Sequence, residues 1–134
     1  MQTHVQTLID DFSLFDDWEG RYAYLIDLGK KLPPMPEDLK TDQTLVPGCT
    51  SRVWMVAGIH DGRLQIMAES DAHIVQGLVA LLLEIYNNRP VGLLREIDIK
   101  DVFRALGLES HLSPNRRNGF FSMVARIQDA VRNA

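Results

Sequence analysis

The sequence predicts an α+β domain of two layers, a small antiparallel sheet packed with helices, and three observations carry that prediction. Residues 52–59 and 63–69 flank His60-Asp61-Gly62, and Asp-Gly between two apolar-rich runs is a strong signal for a two-residue hairpin turn. The segments on either side repeat apolar residues every three or four positions, the period of helices that bury one face. One of them, from about Ser70 to Tyr86, is apolar nearly all round through Ile74, Val75, Leu78, Val79, Leu81, Leu82 and Ile85, as a central buried helix is. Helices bracketing one antiparallel sheet make an α+β fold, and 134 residues suit a single domain, 1–134.

In chain order, Val5, Leu8, Ile9 and Phe12 define a first short helix. Asp16 and Glu19 resemble a capping box for a second, whose stripe is Trp18, Tyr22, Leu25 and Ile26. Gly29, Lys30 and Lys31 suit its C-terminal end. The run Leu32-Pro33-Pro34-Met35-Pro36 then forbids helix, so residues 33–43 read as an extended surface loop. With Asp61 and Gly62 as the turn, Ile59 faces Leu64, Ala57 faces Ile66 and Met55 faces Ala68, which gathers an apolar face. Leu45 and Val46 are candidates for a short third strand. Four helical pieces follow: the central one, capped by Ser70 or Asp71; a short one opened by Pro90; one capped by Asp98, with Ile97 and Val102 as a staple and Gly107 past its end; and a last one begun by Ser113-Pro114, with Phe120, Val124, Ile127 and Val131 inward.

Composition narrows the function. The chain is 46% apolar and 24% charged, a globular rather than a disordered balance, and its net charge of −4 gives no basic field for nucleic acid or an anionic membrane. Its longest apolar run, Leu78 to Leu83, falls far short of the roughly 20 residues of a bilayer span. No basic-then-apolar leader opens it, so a cytoplasmic location is expected. Cys49 is the only cysteine, which rules out an internal disulfide and leaves no cysteine-rich zinc or iron–sulfur site to be built from this chain alone.

Cys49 lies in Val46-Pro47-Gly48-Cys49-Thr50-Ser51, where Pro47 fixes one backbone angle and Gly48 opens conformations closed to other residues, so the thiol is held by a shaped turn. It reads either as a reactive thiol or as a small packed side chain. A cysteine hydrolase would need a base, and the spacing of His4, His60, His73 and His111 selects none of them. Arg116 and Arg117 fall in the first turn of the last helix, where the macrodipole disfavours a cation by ~0.3–1 kcal/mol. Either an acid such as Glu109 pairs with them, or a guanidinium there meets an anion: a thiolate, a persulfide or an acidic patch on a partner.

Together these residues resemble the SufE/CsdE family of sulfur acceptors for cysteine desulfurases. The likeness runs from Arg21-Tyr22, Leu28-Gly29-Lys30 and Leu32-Pro33-Pro34-Met35-Pro36, through Val46-Pro47-Gly48-Cys49-Thr50-Ser51-Arg52-Val53-Trp54 and Ser70-Asp71-Ala72-His73-Ile74-Val75-Gln76-Gly77-Leu78, to His111-Leu112-Ser113-Pro114-Asn115-Arg116 and Asn118-Gly119. The block around Cys49 is its most specific part. The resemblance implies a SufE/IscU-like fold and a persulfide carried on Cys49. The sulfur would come from a SufS/CsdA-like desulfurase, which holds the pyridoxal phosphate, while this chain holds no cofactor or metal. It would pass to a SufBCD-like iron–sulfur scaffold or another acceptor. IscU-type scaffolds use three cysteines for their cluster and this chain has one, so cluster assembly is not expected. The resemblance implies a sulfurtransferase-type partner protein rather than an independent enzyme, and a non-catalytic adaptor is the alternative. Gly48, Asp71, His73 and Arg116 are the supporting residues: Asp71 and His73 open the central helix beside the hairpin, Asp71 as its cap or as a restraint on the Cys49 loop. Arg117 departs from the family pattern, which has a small polar residue there. Apolar neighbours would keep the thiol neutral and shelter a persulfide, with a loop that tucks the sulfur in at rest and everts it when the desulfurase docks.

Overall fold

A computed structural model describes residues 2–134. Helix α1 (Thr3–Ser13) buries Val5, Leu8 and Phe12, and α2 (Trp18–Lys30) buries Leu25 and Gly29. The α2 cap is Asp17 rather than Asp16: its carboxylate accepts from the Gly20 N–H at 2.9 Å, one residue later than the capping-box spacing predicts. The proline run follows as an irregular strap containing one 3-10 turn, Glu37–Leu39. Met35 is the strap's buried peg, and its N–H donates to Glu69 at 2.9 Å. Lys40 closes the same corner with an ion pair to Glu69 while lying over the Trp54 ring.

Strands β1 (Val53–His60) and β2 (Arg63–Ser70) form an antiparallel hairpin in the predicted register, Ile59 opposite Leu64, Ala57 opposite Ile66 and Met55 opposite Ala68. Asp61 and Gly62 both take positive φ, 53° and 76°, as a two-residue turn matching the strand twist requires. The predicted third strand shrinks to one bridge, Leu45 to Trp54. Pro47 and the positive φ of Gly48 turn the chain away before a ladder can extend. The bridge is held from the other layer, where the Arg126 guanidinium donates to Leu45 O at 2.9 Å and Met55 O at 3.3 Å.

Helix α3 (His73–Tyr86) lies across β2 and against α2, with Leu81, Leu82 and Ile85 fully buried. Gly77 makes the α2–α3 contact close: a Cβ there would stand 2.4 Å from the Leu25 carbonyl oxygen. Then come α4 (Val91–Leu94), with Pro90 just before it, and α5 (Ile99–Ala105), whose cap Asp98 accepts from the N–H groups of Lys100 and Asp101. Gly107, in the left-handed region, starts a single-turn helix that the sequence reading does not contain, α6 (Leu108–His111). Helix α7 (Pro114–Arg132) begins with Pro114 and the Ser113 cap, packs on β1, and buries Phe120, Val124, Ile127 and Val131 as predicted. Sheet and helices thus share one core in two layers. Among the described residues no helix is long and apolar enough to cross a membrane.

Candidate functional site

Cys49 is delivered to the interior by the short loop between the Leu45 bridge and β1. Val46 is buried and its N–H donates to Val53 O at 2.8 Å, which fixes the loop's entry. Gly48 turns at φ +82°, with the Ser122 hydroxyl so close that a Cβ would meet it at 2.8 Å. A residue with a side chain would be strained in that conformation and would collide there. The turn aims the half-buried thiol at α7, where Sγ donates a long hydrogen bond of 3.6 Å to Gly119 O. Gly119 has no side chain to intervene, since a Cβ would already touch Sγ at 3.4 Å.

The thiol opens into a cavity of about 410 Å³. Val75 and Leu78 of α3 and Phe120 and Met123 of α7 make its apolar wall, while Thr50, Ser51, Ser113, Asn115 and Arg116 contribute its polar part. Burial pushes the Cys49 thiol above its ordinary value, favouring the neutral form at rest. The loop precedes a strand in sequence, but in space the cavity includes the first turn of α7, which the linear order of the chain conceals.

Asp71 stands elsewhere than at a helix cap. The residue flanking α3 is Ala72, in extended conformation and without a side-chain cap. Asp71 instead accepts from the Arg52 N–H at 3.1 Å, while its own N–H donates to Arg52 O at 3.2 Å. Ser70, the other predicted cap, gives its hydroxyl to the same Arg52 carbonyl at 2.9 Å. The chain bends at Asp71 and is extended at Ala72 before α3 begins, and the Asp71 carboxylate is engaged by the base of the hairpin rather than by the helix. This double tie fixes the exit of the Cys49 loop. His73 starts α3 on the exposed surface and is not part of the cavity lining.

Arg116 lines the cavity, whereas Arg117 lines a separate hollow with Phe121. Of the two alternatives for these arginines, pairing with Glu109 is not seen: Glu109 lies 4.0 Å from Arg104, and among the described residues neither Arg116 nor Arg117 has an acid within ion-pair distance. Among the described residues no histidine lines the cavity. His4 meets Ile85 O, His60 sits by Asp61 at the hairpin turn, and His111 stacks on Trp18. Among the described residues no cluster of histidine, cysteine and acids could hold a metal ion. Gly119, Ser113 and Asn115 are cavity residues that the sequence reading does not single out, although all three stand in the motif that carries the resemblance.

The solution structure of a protein from Thermus thermophilus superposes with a TM-score of 0.80, covering 98% of this chain and 95% of that one at 22% identity, which supports the fold. A SufE-like protein of Rhizobium meliloti (strain 1021) is 45% identical over 130 residues, spanning 94% of this chain and 93% of the relative. One from Rhizobium etli is 43% identical over 129 residues, spanning 93% of this chain and 87% of the relative. The family model described as SufE, Fe-S metabolism associated domain, matches residues 6–131. With that match over most of the chain and relatives at 43% and 45% identity, the chain belongs to the SufE family.

Proposed function

We propose that the chain accepts sulfane sulfur on Cys49 from a pyridoxal-phosphate cysteine desulfurase and carries it to an iron–sulfur assembly scaffold or another acceptor. The observation that carries this reading is a lone thiol facing a cavity much larger than one sulfur atom, apolar on one side and lined on the other by a guanidinium with no acid partner among the described residues. The Cys49 thiolate attacks the outer sulfur of the donor's persulfide. A new S–S bond forms at Sγ, the donor's S–S bond breaks, and the donor cysteine leaves as its thiolate. No external oxidant or reductant enters, because the sulfur moves at constant oxidation state. The apolar wall shelters the product from oxidants, and Arg116 offers its anionic form a charge-assisted contact. Transfer requires the loop to evert, since the half-buried thiol faces inward.

The test is intact mass after incubation with a desulfurase and free cysteine. The wild-type chain should gain one sulfur atom and Cys49→Ser none. Equal gain in both would move the acceptor off Cys49. Full stimulation of the desulfurase by Cys49→Ala would instead support an adaptor in which the thiol only packs.

A further inference from the structure

Next to the Cys49 cavity, α5, α6 and α7 enclose a second hollow of about 370 Å³ lined by Lys100, Phe103, Arg104, Glu109, Arg117 and Phe121. Its aromatic part is preorganised: Phe103 is buried, and its ring centroid lies 5.0 Å from that of Phe121. Its cations are not equivalent. Arg104 is engaged, with Asp101 at 2.7 Å and Glu109 at 4.0 Å. Lys100 and Arg117 have no acid within ion-pair distance among the described residues. Glu109 is the one carboxylate of the lining and sits on the Arg104 side; against it, two cations without an acid partner among the described residues stand around an aromatic floor and leave a place for an outside anion.

The hollow and the Cys49 cavity are separate but share α7 as a wall. Consecutive residues divide between the two, Arg116 and Phe120 lining the Cys49 cavity, Arg117 and Phe121 the hollow. Phe103 contacts both phenyl rings, with centroids 5.0 Å from each. The two sites therefore lie on adjoining faces of α7, within reach of one docking protein.

We infer that the hollow formed by Lys100, Arg117, Phe103 and Phe121 is a docking site for an acidic side chain, Asp or Glu, of the protein that loads Cys49. This rests on the carrier reading and adds a second contact to it, one that takes no part in sulfur chemistry. The carboxylate lies between the Lys100 and Arg117 charges while the methylene groups beneath it cover the Phe121 ring. Such a contact at the edge of an interface acts on association rate and specificity, and salt weakens it.

The experiment measures binding of the wild-type chain and of the double variant Lys100→Gln, Arg117→Gln to the cysteine desulfurase of the same organism, at low and at high salt. The expected result at low salt is about fivefold weaker binding by the double variant, with the gap closing as salt rises. Sulfur uptake at saturating desulfurase and the alkylation rate of Cys49 stay at wild-type values. Equal affinity of the two proteins at low salt overturns the inference, and so does a loss that is just as large at high salt, because the contact would then not be ionic. Single Arg117→Glu should bind more weakly than Arg117→Gln; equal binding also counts against it. Failure of the carrier reading is visible separately, in a wild-type chain that gains no sulfur.

Discussion

The hairpin is flanked by irregular chain at both ends, and the two ends are held in different ways. At the turn end, residues 87–90 are bonded onto β2 and the turn. Asn88 N–H donates to Leu64 O at 2.7 Å, Leu64 N–H to Arg89 O at 3.1 Å, and Val91 N–H to Gly62 O at 3.0 Å. The Asn87 side chain accepts from the buried Ile66 N–H at 2.8 Å, and Arg63 donates to Asn88 O. At the base, the chain is tied at Val46 and again at Arg52. Between those ties, among the described residues, the thiol's 3.6 Å contact with Gly119 is the one hydrogen bond within the protein. The segment that must hold the sheet is secured along its length; the segment that carries Cys49 is secured at its ends. Local opening is drawn from the parts of a fold with few internal bonds, so the eversion that the proposed function requires calls for opening the Cys49 loop and not the hairpin.

Substitutions at the two ends should therefore separate global stability from thiol exposure. Asn87→Ala orphans a buried backbone donor, at a cost of about 1–3 kcal/mol in unfolding free energy. Denaturant titration should show that loss, with Cys49 alkylation under native conditions unchanged. Faster alkylation in Asn87→Ala would mean that the loop and the turn end open as one unit, which breaks the comparison.

Gly48→Ala acts on the loop directly. An L residue at its φ of +82° carries about 1–2 kcal/mol of strain, and the new Cβ presses on Ser122. The strain is relieved by leaving α7, so alkylation should accelerate while the hairpin's hydrogen-exchange protection holds. Slower alkylation would mean that the loop relaxes inward. Asp71→Ala removes one tie at the loop exit, about 1 kcal/mol, equivalent to roughly fivefold more of the open loop if the whole effect falls there. A stability loss in Asp71→Ala with no change in alkylation would reduce Asp71 to a purely structural role.

The parts legible in the sequence are those fixed by neighbours along the chain. Asp61-Gly62 sets the hairpin register, Asp98 and Ser113 cap the helices they precede, and the α7 stripe faces inward, because each needs only residues a few positions away. Helix α6 is not legible because four residues cannot display a helical period and, unlike α4 with its Pro90, it is preceded only by Gly107, which reads as the end of α5. Asp71 misleads for a different reason. An aspartate before a helix looks like a cap in sequence, and what redirects it is the Arg52 backbone brought alongside by the hairpin. The same limit applies to Gly119, whose meaning depends on Cys49 across the fold, and to the neighbouring Arg116 and Arg117. These two differ by about 100° around the helix axis, and only the packing of Phe120 and Gly119 against the loop decides which one lines the sulfur cavity.

The smallest effect belongs to Arg116, and pH exposes it. Burial raises the Cys49 thiol in the folded chain, so above the ordinary thiol range the folded state retains a proton that the unfolded state releases. Stability should accordingly fall as pH climbs from the unfolded thiol value towards the folded one, a slope that Cys49→Ser removes. Alkylation requires the thiolate, so its rate should rise with pH through an inflection above that of the unfolded chain. A guanidinium lining the cavity does little for a neutral thiol but stabilises the anion. Arg116→Ala should therefore move the inflection further up and slow alkylation at neutral pH about twofold, the scale of a partly solvated charge contact. Arg117→Ala, facing the other hollow, should leave the inflection where it is. If the two variants gave identical profiles, the division of consecutive arginines between two sites would fail. If Arg116→Ala kept the wild-type profile but bound the desulfurase more weakly, its role would lie in docking, with the resting loop held by Gly119 and the apolar wall alone.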